Sequence, residues 1–344
     1  MDVDQYSTGY SEAEKLEAAL RRASNVFVTG TGFVDTSDDF GVVLRGSAPK
    51  LWNDFFQTNY AQKARGSQTK ASHYTTEFLG HRYRCCLANS AKGWGISMRR
   101  LANKIPSLRD DLSLDWNIIQ PLMFGSGLTL FAGRMGCGKS TTMAASIGML
   151  DDRNAQIATV EDPIEVLYPS ETILQREVGT HVESFAEAIK DCVRQNRTTI
   201  VVSEIRDAET ANAALLAAST GHSVLATIHA DNVFDIYTRM LSLVDQRYER
   251  VLARNLRGLW WQQVVRFGDT KRKPIPIYES LVVDNEARLI LDGGPSKLQM
   301  LGNVMDRQGR KEAAHVAMLA VSQGKASKEE MSEFLLKRTR LNMD

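Results

Sequence analysis

Cysteine is scarce in this chain of 344 residues, and its four copies, Cys85, Cys86, Cys137 and Cys192, form no Cys-x-x-Cys pair. That spacing excludes the common zinc-module pattern and supplies no disulfide framework, so reduced thiols are expected. An excess of one charge is also missing: 42 Lys and Arg face 41 Asp and Glu, a net of +1. Such a chain has no strong overall field to draw in bulk nucleic acid, although local basic patches stay open. Long apolar runs are lacking too. No stretch of about 18 apolar residues runs without a charge, which excludes a conventional membrane-spanning helix. The nearest approach, Pro121 to Gly136, is broken by glycines and carries Arg134. The opening Met1-Asp2-Val3-Asp4 is acidic where a secretory leader would be basic. The expectation is a cytoplasmic protein that reaches a membrane only through partners.

What is present is ordinary in bulk, with 43% hydrophobic and 24% charged residues and room for two domains. One segment is not ordinary. Gly133-Arg134-Met135-Gly136-Cys137-Gly138-Lys139-Ser140-Thr141 fits Gly-x-x-x-x-Gly-Lys-[Ser/Thr] at every required position. Glycines let the backbone curl so that several N–H groups point into one concavity. The Lys139 ammonium can then reach the β- and γ-phosphates of ATP, and the Ser140 hydroxyl can ligate Mg²⁺. The context agrees: Leu128–Ala132 reads as a buried strand and Ser140–Leu150 as a helix, so phosphate would meet a helix N-terminus. Cys137, inside this loop, is either a small tolerated side chain or an oxidation-sensitive switch.

Before residue 105 the pattern predicts a small α+β unit. Ser11–Ala23 reads as a helix, with Ser11 as N-cap and Glu14 completing a capping box. Leu51–Gln62 reads as a second helix. Asn25–Val28, Gly41–Leu44, His81–Cys86 and Gly95–Arg99 read as strands. Ile105-Pro106-Ser107 and the charged run Arg109-Asp110-Asp111 read as a linker. The expected division is 1–105, a linker at 106–116, and 117–344. From about Asn117, strands at Leu128–Ala132, Gln156–Val160, Thr199–Ser203 and Ser223–Ile228 alternate with helices at Ser140–Leu150, Glu183–Gln195, Ala208–Ala218 and Asn232–Leu243. Alternation of this kind predicts an α/β fold with a parallel sheet covered by helices.

Each of those strands ends in something chemical. After the first comes the phosphate loop. The second runs into Glu161-Asp162-Pro163-Ile164-Glu165, the third into Ser203-Glu204-Ile205-Arg206-Asp207, and the fourth ends at His229. Ligands of open parallel sheets collect at the carboxyl ends of strands. Glu204 has the type and place to hold the water that attacks a γ-phosphoryl group, whereas Asp207 suits a helix cap. Glu161 and Glu165 are either functional or part of a solvated turn. His222 and His229 flank the fourth strand, as ordinary half-buried histidines or as sensors of the γ-phosphate.

Together, these blocks resemble the secretion ATPases of type II, type IV and pilus systems, above all the PilT-like branch. The resemblance rests on 133–141, on the acidic box Glu161–Glu165, on Leu174-Gln175-Arg176-Glu177-Val178-Gly179, on Glu204-Ile205-Arg206-Asp207, and on Thr220-Gly221-His222 through His229. It covers about Ser24 to Val283. The family implies a homo-hexameric ring whose subunits pair a PAS-like N-terminal domain with a RecA-like C-terminal one, with ATP bound between domains at subunit contacts. By resemblance, Lys139 and Ser140 hold phosphate and Mg²⁺, and Glu204 positions the attacking water. Glu161 and Glu165 support Mg²⁺ or the water, and His229 reads the γ-phosphate. Arg82, Arg84 and Arg99 are similar to the family's N-domain arginines that reach across to the phosphates; otherwise they are exposed strand arginines.

Three departures bear on the branch. Ser203 stands where the family usually has glycine. Gln195-Asn196-Arg197 replaces the acidic-proline turn of retraction motors, and Glu286-Ala287-Arg288-Leu289-Ile290 matches their Ala-Ile-Arg motif only weakly. Gln195-Asn196-Arg197 and Thr227–Val233 look more like the DotB and plasmid TraJ branch of type IVB secretion and conjugative transfer. The function so implied is an ATP hydrolase that powers a secretion, conjugation or pilus machine, docked on inner-membrane platform proteins. A pilus retraction ATPase, a nucleotide-gated scaffold and a DNA translocase are the competing expectations.

Overall fold

The computed structural model describes residues 12–21, 23–37, 43–63, 72–102, 104–151, 155–267 and 272–340. Two compact units divide the chain, Met1–Asn103 and Lys104–Asp344.

In the first unit the described elements are α1 (Glu12–Leu20), β1 (Asn25–Thr29), β2 (Phe33–Ser37), β3 (Val43–Ser47), α2 (Lys50–Lys63), β4 (Ser72–Phe78), β5 (His81–Ser90) and β6 (Gly93–Arg100). The proposed cap Ser11 lies outside the described residues, as do Gly41 and Val42 of the second expected strand. The strands form one antiparallel sheet in the order β3-β2-β1-β6-β5-β4. Period-two alternation decides its faces. Val26, Val28, Cys85, Leu87, Ile96 and Met98 are buried with Leu16 and Leu20 of α1 and Trp52 and Phe56 of α2. The opposite face carries Arg84 and Arg99, directly opposed in register across β5 and β6. Arg82 precedes Arg84 by two residues and so shares that face.

The second unit is built on a seven-stranded sheet in the order β13-β12-β7-β11-β10-β8-β9. Its strands are β7 (Gly127–Ala132), β8 (Ile157–Glu161), β9 (Leu174–Glu177), β10 (Thr199–Val202), β11 (Ser223–Ile228), β12 (Leu256–Val265) and β13 (Ile275–Val282). The helices are α3 (Trp116–Met123), α4 (Lys139–Asp151), α5 (Phe185–Arg194), α6 (Ala208–Ser219), α7 (Val233–Leu243), α8 (Glu249–Asn255), α9 (Asn285–Asp292), α10 (Leu301–Arg307), α11 (Ala313–Ser322) and α12 (Lys328–Arg340). β7, β10 and β11 are buried at every position, as strands covered on both faces must be. Leu128, Leu130, Val202, Val224 and Ala226 pack with α5, α6 and α7 on one side. Phe131, Val201, Leu225 and Trp260 pack with α3 and α4 on the other.

The structure adds to two expectations. The sheet is mixed, because β13 pairs antiparallel with β12 while the other neighbours are parallel. β9, β12 and β13 were not expected; β9 is short, and the alternation Leu259-Trp260-Trp261-Gln262 is irregular as an apolar code. Residues 106–116 also do more than link. The Ser107 N–H bonds Asp111 Oδ2 at 2.8 Å, and Leu108 and Leu114 are buried in the second unit's core. Charge at Arg109–Asp111 hid those two apolar anchors.

Candidate active site

The phosphate loop bridges the end of β7 and the start of α4. Gly133 has φ 141°, and a Cβ there would stand 2.2 Å from the Gln262 carbonyl oxygen and 2.6 Å from Cys137 Sγ. Only glycine fits so close to β12. Lys139 is buried, and its Nζ donates to the carbonyls of Gly133 (2.7 Å) and Arg134 (3.1 Å). Burial pushes the Lys139 pKa down, opposed by the neighbouring Cys137, Glu204 and Glu165. A cation held there, served by two neutral carbonyls and close to helix N-terminal amides, is matched to an anion. Arg134 Nε lies 3.0 Å from Asp231 Oδ1, tying the loop to the segment after His229. Met135 stands exposed at the loop tip. Cys137 is buried and desolvation pushes its thiol up, which favours the packing reading over the redox one.

Glu204 follows β10 and is held by the next strand. The Ile205 N–H donates to the Thr227 carbonyl at 2.8 Å, and the Thr227 hydroxyl donates to the Ser203 carbonyl. These two bonds straddle Glu204 and set it beside the end of β11. There His229 Nε2 lies 2.8 Å from Glu204 Oε1. Ser203 is not among the residues with positive φ, so the missing glycine leaves no strain. Arg206 grips the other oxygen, with Nη2 2.6 Å and Nε 2.7 Å from Glu204 Oε2. Its Nη1 also reaches Asp162 Oδ2 at 3.5 Å. Arg206 is a member of the site that the sequence pattern does not assign. Alternate residues of an extended segment share a face, and that spacing was the available signal.

Glu161 ends β8. Its Oε1 accepts from the Thr159 hydroxyl (2.6 Å) and from Gln175 Nε2 of β9 (3.1 Å). Burial pushes the Glu161 carboxyl up, partly countered by those two hydrogen bonds. Glu165 is exposed and close enough to affect both Glu161 and Lys139 electrostatically. The loop carrying Glu165 is anchored by Glu177, a buried carboxylate that accepts from the Ile164 N–H (3.0 Å) and the Thr180 hydroxyl (3.0 Å). Gln175 and Glu177 are likewise supporting residues that the pattern does not assign.

One expected member stands elsewhere. His222 precedes β11, whereas the phosphate loop follows β7, and these parallel strands pair Ser223 with Gly127 and Ile228 with Ala132. Six strand residues span about 20 Å, so His222 lies at the opposite end of these strands from the loop. Its Nδ1 is 2.8 Å from the Arg197 carbonyl, and its own carbonyl accepts from the Gly127 N–H. Flanking the strand was the wrong criterion, because only the carboxyl end faces the loop. Arg82, Arg84 and Arg99 belong to the first unit.

Among the described residues no group of three or more His, Cys, Asp or Glu is arranged to hold a metal ion. A serine hydroxyl is a hard oxygen donor of the kind Mg²⁺ takes, and Mg²⁺ is usually bound through few protein ligands plus phosphate oxygens and water. Ser140 opens α4 beside Lys139 and would supply one ligand.

The sequence profile described as "Type II/IV secretion system protein" matches residues 113–341. The chain belongs to that family. It is 32% identical over 243 residues to the type IV pilus ATPase PilU of Pseudomonas aeruginosa, covering 69% of this chain and 63% of PilU. It is 36% identical over 197 residues to the uncharacterized protein YggR of Escherichia coli, covering 55% of this chain and 60% of YggR. The chain thus matches less than two thirds of the length of either relative. Among solved structures, the Legionella pneumophila ATPase DotB superposes with a TM-score of 0.75 at 24% identity, over 96% of this chain and 97% of DotB. The pilus retraction motor PilT with bound ADP gives 0.78 at 24% identity, over 94% of this chain and 97% of PilT. The family member described here therefore has the RecA-like fold of those ATPases, preceded by a small unit with an antiparallel sheet. Among its described residues no helix is long and apolar enough to cross a membrane.

Proposed function

We propose that this protein is an ATP hydrolase that works as a homo-hexameric motor for a type IV secretion, conjugation or pilus machine. One observation carries the hydrolase reading. Glu204, paired with His229, and the acid Glu165 both lie close to the Lys139 ammonium at the carboxyl end of parallel strands. A phosphate cradle alone would need only the loop. A carboxylate held on the same edge supplies the acceptor for an attacking water.

In this reading Lys139 exchanges its two carbonyl partners for phosphate oxygens, and Gly138 and Lys139 add backbone N–H groups. Ser140 would hold Mg²⁺, which when bound neutralises phosphate charge. Glu204 accepts a hydrogen bond from water through Oε1, while Arg206 holds Oε2. As the water oxygen bonds to the γ-phosphorus its proton passes to Glu204 Oε1, the bond to the β,γ-bridging oxygen breaks with its electron pair staying on ADP, and ADP and inorganic phosphate leave as Glu204 returns the proton to solvent. His229 holds Glu204 and senses the terminal phosphate. Glu161, held by the Thr159 hydroxyl and Gln175, backs the water or the metal with Glu165. The subgroup reading, DotB and TraJ, is supported by Gln195-Asn196-Arg197 and Thr227–Val233. Inner-membrane platform proteins are the proposed partners, and the cytoplasmic face of that membrane the proposed place.

Steady-state phosphate release from ATP tests the reading. Turnover should require Mg²⁺ and stop with a chelator, and the active species should sediment as a hexamer. A monomer with full turnover would remove the ring from the proposal. The arginines give a further prediction. Like charges directly opposed across strands, as at Arg84 and Arg99, destabilise a sheet unless an anion compensates. Arg82→Ala and Arg84→Ala should therefore keep ADP affinity but lower kcat by about 10²-fold or more, as loss of a transition-state cation does. Wild-type kinetics in both variants would return these residues to plain surface arginines.

A further inference from the structure

Strand β12 passes beneath the phosphate loop, and one of its side chains, with another just past its end, holds a loop carbonyl. Gln262 is 1% exposed. Its Nε2 donates to the Cys137 carbonyl at 2.8 Å, and its Oε1 accepts from the Trp260 indole Nε1 at 2.8 Å. An indole N–H only donates and a peptide carbonyl only accepts, so the two ends of this amide cannot be exchanged. Trp260 is itself fully buried and stacked on Tyr278, which leaves its N–H no freedom to turn away. Four residues on, Arg266 Nη2 donates to the Gly136 carbonyl at 3.0 Å.

The consequence lies on the other side of the peptide. In a trans peptide unit the N–H points opposite to the C=O. Drawing the Cys137 carbonyl toward β12 turns the Gly138 N–H to the far side of the loop. The preceding N–H, of Cys137, is already used by the Arg134 carbonyl at 3.2 Å. Gly138 is therefore the loop donor whose direction Gln262 dictates. Gly138 has φ 84°, and a Cβ on it would stand 3.1 Å from Gln262 Nε2, so the side chain and the loop are built against each other.

We infer that Gln262 is a positioning residue for nucleotide phosphate: through the Cys137 carbonyl it aims the Gly138 N–H at the ligand, and Trp260 locks it in the orientation that does so. The ligand class is the diphosphate moiety shared by nucleoside di- and triphosphates. This rests on the nucleotide reading above and adds a residue from a strand outside every motif that points to it.

A donor that grips phosphate in ADP and ATP alike contributes uniform binding, so its loss raises KM and leaves kcat in place. General loosening of the unit would instead lower kcat and melting temperature together. Gln262→Met keeps the length and removes both hydrogen bonds. Gln262→Glu keeps the shape and the Trp260 bond but turns a carboxylate oxygen toward the Cys137 carbonyl. The test measures ADP Kd by calorimetry, ATP KM and kcat, and the melting temperature without nucleotide. Both variants should raise Kd and KM about tenfold, with kcat within about twofold of wild type. Glu should be at least as damaging as Met despite its closer shape. Where Gln262→Met fails to fold, Gln262→Glu decides alone. Unchanged Kd and KM, or a fall in kcat without a rise in KM, overturns the inference. A wild type that binds ADP but hydrolyses no ATP would end the motor reading and leave this one standing or falling on ADP affinity. A wild type that binds no ADP ends both.

Discussion

Lys139→Ala is expected to lower ATP turnover by about 10²- to 10³-fold, the usual loss when one preorganised donor to transition-state charge is removed. The ammonium of Lys139 is buried and donates to the carbonyls of Gly133 and Arg134. Desolvation already disfavours its charge, and Glu204 and Glu165 partly restore it. A site that keeps a cation under those conditions serves an anion, and alanine can neither bind phosphate charge nor tie the loop. ADP affinity should fall with turnover, since the same charge meets the β-phosphate in both nucleotides. Lysine is a compact point charge, so Lys139→Arg should not rescue: the wider fork cannot enter the same space. Phosphate release by Lys139→Ala at the wild-type rate would show that the loop at 133–141 grips something other than the reacting nucleotide.

Glu204→Gln should separate binding from chemistry. Glutamine keeps the shape but accepts a proton poorly, and general-base contributions are worth about 10²- to 10⁴-fold in rate. The expected outcome is kcat reduced by that order while ATP and ADP affinities stay near wild type. The variant also loses the charge that holds Arg206 and attracts His229. That second effect can be read apart: Arg206→Lys keeps a cation but not the fork on Oε2, and should give a smaller fall in kcat. Equal phosphate release by wild type and Glu204→Gln would remove Glu204 from the mechanism and favour a nucleotide-gated scaffold. The measurement is steady-state hydrolysis beside equilibrium binding on the same preparation.

How much of this was legible beforehand depends on the residue. The strand, loop and helix around 133–141 were readable, because the glycines and Lys139 are contiguous and flanked by apolar and helix-forming runs. β7, β8, β10 and β11 were readable because strands buried on both faces are continuous apolar runs. Glu204 and His229 followed from strand polarity, and the same rule, applied to His222, would have excluded it. Arg206, Gln175 and Glu177 lay inside quoted blocks, yet their partners are set by neighbouring strands rather than by spacing. Gln262 carried no signal at all. A single glutamine in Trp260-Trp261-Gln262-Gln263 looks like any half-polar strand residue.

The sequence by itself determined local matters here: a phosphate loop, the strands that bear it, the helices that follow, and the acids at strand ends. Each is encoded within about ten consecutive residues, by periodicity, turn chemistry and capping. Tertiary structure alone decided which of those groups meet. It set His229 on Glu204 and Arg206 on the other oxygen, sent His222 to the far end of the strands, and slid β12 under the loop. The physical reason is that side-chain hydrogen bonds across strands depend on sheet order and register. Those are settled by burying both faces of the whole sheet at once, and no short stretch of chain records them.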